Sequence, residues 1–174
     1  SLETRLPGKV EQDEYFAARW VRRSLSLKST LLDFDSILFV KRVPGSYSHM
    51  SDQYYGWRSR PGGGLYILRN FKSGATELEC ISDSFSEPGS FLRPTLSYDG
   101  RKVLFAWCKH YPELAAEKDK HNKYNVPEDA FYHLFELNLD GSGARKLTHG
   151  KYDDFDGRYL PGGKILFLST RRGQ

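Results

Sequence analysis

Three short apolar triplets, Ile37-Leu38-Phe39, Val103-Leu104-Phe105 and Ile165-Leu166-Phe167, recur along the chain, each after a polar or glycine-containing turn. A recurrence of this kind marks a repeat architecture, because one strand-like run cannot bury its own face and must stack on its neighbours. From residue 31 onward the apolar runs stay short and are bounded by Gly, Pro, Asp and Ser, which favours antiparallel strands joined by turns over helices.

One candidate unit runs through 36–40, 64–68, 76–81 and 93–98, and a second through 103–107, 132–137, 145–148 and the stretch around 157–160. A third opens at 164–170. The expected fold class is therefore all-β: a partial β-propeller with about two four-stranded antiparallel blades and the first strand of a third, preceded by an N-terminal α-helix. The repeated phenylalanines are 66 and 62 residues apart, longer than the roughly 40 to 45 residues of a compact blade. The excess falls at 43–63 and 110–130, each between the first and second strands of its unit, so both insertions should emerge on one face.

Between residues 10 and 24, Phe16, Ala17, Trp20 and Val21 recur at helical spacing, with Glu11, Asp13 and Glu14 early and Arg22 and Arg23 late. That charge order suits the helix dipole and predicts an amphipathic helix. The domain division expected is 1–30 for this helix and its linker, and 31–174 for the blades, read as a fragment of a larger propeller.

Composition narrows the function classes. The net charge of +4 arises from 26 basic and 22 acidic residues mixed along 174 positions, so no nucleic-acid arm is present, and the Arg19, Arg22 and Arg23 cluster reads as a solvated helix face. No run approaches the roughly 18 to 20 apolar residues of a membrane span. Cys80 and Cys108 lack the spacing of a zinc, redox or covalent haem motif and read as small strand residues, so no cofactor is expected in this segment.

The segments 93–105 (RPTLSYDGRKVLF), 145–148 (RKLT) and 154–171 (DFDGRYLPGGKILFLSTR) resemble the TolB-type β-propeller repeat, with Gly162-Gly163 standing where that family usually has Asp-Gly. Gly62-Gly63-Gly64-Leu65-Tyr66, Gly89-Ser90-Phe91, Ser97-Tyr98-Asp99-Gly100, Tyr132-His133-Leu134-Phe135-Glu136 and Asp140-Gly141-Ser142-Gly143 are similar to the propeller middle domain of hydrazine synthase alpha-subunit-like proteins. The resemblance spans about 31–174. It implies a periplasmic or exported location and a parent protein carrying haem in another domain. No catalytic residue of that family carries over.

The loop from Ser46 to Arg58 holds the densest set of chemically able side chains, and His49, Asp52, Tyr54, Tyr55 and Trp57 are its candidate ligand-binding residues. Aromatic faces can hold a sugar or a flat ligand, while an imidazole and a carboxylate can coordinate a metal or exchange protons; the competing reading is a loop folded back over a sheet. His133 joins them as a strand histidine. Asp154 and Asp156, after Asp153 and before Gly157, are the candidate metal ligands, with turn capping as the alternative.

The function expected is a non-catalytic binding or assembly scaffold in an exported multidomain protein. Its partners would be another protein or the remaining blades, a glycan or small molecule, and a second copy paired through an open blade edge. The alternatives are the propeller domain of a multihaem redox enzyme and a metal-dependent carbohydrate lyase-like enzyme.

Overall fold

A computed structural model of the chain describes residues 9–45, 49, 53–73, 75–119 and 122–172, with side chains for all but 9–11, 115 and 116. The described residues form two compact units: those within 1–37 and 69–77, and those within 38–68 and 78–174.

In the first unit, α1 (Lys9–Leu27) forms where the helical spacing predicts it and extends three residues further, so Arg22 and Arg23 fall short of its last turn. Phe16, Trp20, Val21 and Leu25 are all more than half exposed. Arg23 donates to the Phe71 carbonyl at 3.2 Å, the Phe71 amide donates to the Asp35 carbonyl at 3.2 Å, and the Phe34 and Phe71 rings meet at 5.6 Å.

Apart from the end residues Ile37, Arg69 and Glu77, the strands belong to the second unit. β1 (Ile37–Arg42), β2 (Gly63–Arg69) and β3 (Glu77–Cys80) make a three-stranded sheet in that order. β4 (Gly89–Leu96), β5 (Lys102–Lys109), β6 (His133–Asn138) and β7 (Arg145–Lys146) make an antiparallel four-stranded sheet, and β8 (Asp154–Tyr159) pairs with β9 (Ile165–Ser169). The chain is thus mostly β-sheet with one N-terminal helix.

The grouping corrects the expected one of two four-stranded units and a lone strand. Residues 93–98 do not close the first sheet: β4 opens the second, and β8 likewise opens the third. The cause is the turn that follows each. Asp99 accepts from the Ser97 hydroxyl at 2.6 Å and from the Arg101 amide at 3.2 Å, Gly100 takes φ 65°, and Ser97 and Lys102 are bonded across the hairpin. So short a connection commits its two flanking strands to each other.

Period-2 alternation in β5 then stacks the sheets. Val103 and Phe105 face Leu65, Ile67 and Ile81 of the first sheet and its exit, with Leu38, Val40 and Trp107 alongside. Leu104, Ala106 and Cys108 face the other way, onto Phe155, Tyr159, Ile165 and Phe167 of the third. A strand apolar at successive positions is one buried on both sides, and Val103, Leu104 and Phe105 are fully enclosed. The contact between the second and third sheets is close: a Cβ on Gly157 would lie 2.6 Å from the end of the Leu104 side chain. β9 carries the same pattern half-satisfied, since Ile165 and Phe167 pack inward while Leu166 and Leu168 are 61% and 55% exposed.

Candidate functional site

Described parts of the two insertions pack against each other. From the first, the 3₁₀ turn Gly56–Arg58 buries Trp57 against Val126, Ala130 and Phe131 of the second, with Tyr55, Tyr111 and Leu114 packed around them. Gly56 sits so close to the second insertion that a Cβ there would lie 2.4 Å from the Ala130 carbonyl oxygen.

Asp153, wholly buried, ties these segments to the third sheet. Its Oδ1 accepts the Gly56 amide at 2.8 Å and the Tyr132 amide at 3.0 Å, while Oδ2 has no partner among the described residues. Burial pushes this carboxyl up to about 6 against the pull of the two amides. Nearby, the Cys108 thiol lies 3.1 Å from the Ser59 hydroxyl, and burial pushes it up to about 12, which leaves it a thiol and chemically quiet.

A second polar group lies where two sheet edges converge. β4 and β8 are the end strands of their sheets, and each carries a bulge at the equivalent place. Arg93 and Pro94 stand opposite Phe105, and Asp156 and Gly157 stand opposite Phe167, so the third residue of the repeated triplet faces a bulge in both sheets. The first residue of each bulge takes a positive φ, 44° at Arg93 and 57° at Asp156. For arginine this costs about 1–2 kcal/mol, whereas aspartate, like asparagine, enters the region more readily.

The bulges aim side chains at one another. Arg93 approaches Asp156 Oδ2 at 3.7 Å, and Arg158 approaches Oδ1 at 2.7 Å in an ion pair not aligned as a hydrogen bond. Arg158 also donates to the Thr95 hydroxyl at 2.7 Å and the Gly157 carbonyl at 2.9 Å. Arg93 donates to the Tyr54 hydroxyl and lies over its ring, whose other neighbour, Phe155, stacks at 4.9 Å between centroids. Both guanidiniums are about half exposed, at 46% and 48%, whereas Asp156 is 24% exposed. Two cations share one carboxylate at a solvent-facing edge.

The sequence-predicted residues divide accordingly. Tyr54 and Asp156 come together through Arg93. Trp57 and Tyr55 serve the packing of the insertions, with the Lys123 ammonium 5.8 Å from the Tyr55 ring. His49 is exposed, and Asp52 lies outside the described residues. His133 is 1% exposed, with Nε2 at 2.9 Å from the Glu128 carbonyl, and burial holds its imidazole below the usual range, hence neutral. Asp154 is buried in a 2.6 Å pair with Arg171, separate from Asp156. Among the described residues, no three His, Cys, Asp or Glu side chains converge to hold a metal ion.

Arg93, Thr95 and Arg158 escaped the sequence reading. The available signal was Pro94: proline inside a strand pattern belongs to an edge strand or a bulge, and here it marks both. Comparison of the chain with protein-family models, with curated proteins and with solved structures gave no match.

Proposed function

We infer that the three stacked sheets are successive blades of a TolB-type β-propeller, and that the chain acts as a binding or assembly scaffold within an exported multidomain protein rather than as a catalyst. The observation that carries this reading is β9. Its Ile165 and Phe167 side is packed on the preceding sheet, and its Leu166 and Leu168 side is apolar and open. Strands apolar on both faces belong between two layers, and in a propeller each blade supplies the cover for the one before it. β4 and β8 also each follow the last strand of the preceding sheet and turn at once into a hairpin, a connectivity that successive blades would share.

On this reading the open side of β9 receives a further sheet, from the same protein or from a second copy. In sedimentation velocity the chain should associate increasingly as its concentration rises, and Leu166→Lys with Leu168→Lys should abolish that association while leaving the β-sheet circular dichroism intact. A double variant that associates as before would argue against the reading.

A further inference from the structure

We propose that the converging edges of β4 and β8 form a binding site for a carboxylate-bearing ligand, held by the guanidiniums of Arg93 and Arg158. This goes beyond the scaffold reading and does not rest on it, because it requires only the two edges present in this chain.

The charge balance carries the argument. Asp156 is the one carboxylate facing both arginines among the described residues, so the cluster keeps an excess of one positive charge at a half-exposed position. A singly charged carboxylate cancels that excess, whereas a phosphate dianion would overshoot it. Guanidinium forks match the two oxygens of a carboxylate in a plane.

Preorganisation supports the same conclusion. Arg93 is held by the Tyr54 hydroxyl and by the ring beneath it, and Tyr54 is itself backed by Phe155. Arg158 is anchored by Thr95 and Gly157. Side chains fixed in this way lose little freedom when a ligand arrives. Arg93 also occupies the left-handed region, where glycine, asparagine or aspartate would be more comfortable, so its side chain is presented at a backbone cost. Asp156 then acts as an internal placeholder: it neutralises part of the site when empty and competes with the incoming carboxylate.

The test is a low-salt calorimetric titration of the whole chain with propionate, with an end-blocked glycine peptide carrying a single glutamate, and with inorganic phosphate. Propionate or the peptide should bind saturably at one site; preference for propionate assigns the site to small carboxylates, and preference for the peptide assigns it to an acidic side chain of a polypeptide. Arg93→Gln and Arg158→Gln should each weaken binding by about tenfold or more. Asp156→Asn should tighten it, an effect that unfolding cannot mimic. Failure of both carboxylates to bind, stronger binding of phosphate, undiminished binding in either arginine variant, or no gain in Asp156→Asn would overturn the proposal.

Discussion

Asp153→Ala should destabilise the chain by about 2–5 kcal/mol near about pH 5, because the buried amides of Gly56 and Tyr132 would both lose their acceptor at once. That is a large share of the roughly 5–15 kcal/mol by which a domain is stable. Asp153→Asn keeps one carbonyl oxygen in place and should cost less than about half as much. The comparison separates the acceptor from the charge. At an ordinary value of 3.8 in the unfolded chain and about 6 in the folded one, the carboxyl binds its proton more tightly when folded. The stability this contributes is complete below about pH 4 and is lost as pH rises through about 6, on the order of 3 kcal/mol in all. Chemical denaturation from acid to neutral pH should show this decline in the native chain and not in Asp153→Asn. Equal stability of the alanine and asparagine variants would contradict the clamp.

Phe105→Ala should cost about 3–5 kcal/mol. The Phe105 ring is fully buried in the middle sheet and meets Phe85 at 5.4 Å, Phe91 at 5.9 Å and Phe135 at 6.0 Å, so its removal opens a void bounded by rings of that sheet and of the loop leading into it. The equivalent Phe167→Ala should cost clearly less, because Phe167 is only partly buried. Urea unfolding would show the difference as a drop in midpoint at nearly constant slope. A loss below about 1 kcal/mol at Phe105 would mean that the first and second sheets are not packed together as described.

These two sites also show what could be read in advance. The triplet around Phe105 was legible because full burial of a central strand leaves a run of consecutive apolar residues. The meeting of the two insertions was legible as well, since equivalent loops between equivalent strands leave on the same side. The division into sheets was not. Apolar runs state which segments are strands but not which neighbour each one pairs with, and that depended on the side-chain hydrogen bonds of Ser97 and Asp99 in the turn after β4. The arginine cluster was hidden for a related reason: Arg93, Asp156 and Arg158 are scattered charges in sequence and become neighbours only through two bulges on different sheets. Asp153 was visible as one of a run of acids, yet its partners are backbone amides of Gly56 and Tyr132, groups that leave no mark in a sequence.

The central claim, that these sheets are successive blades of a propeller scaffold, is tested most directly by an experimental structure of the chain in its assembled form. The account predicts a further sheet lying against Leu166 and Leu168, stacked on β9 as β8 and β9 stack on the middle sheet. An assembled form in which that face of β9 stays open to solvent, or is covered by something other than a sheet, would contradict it.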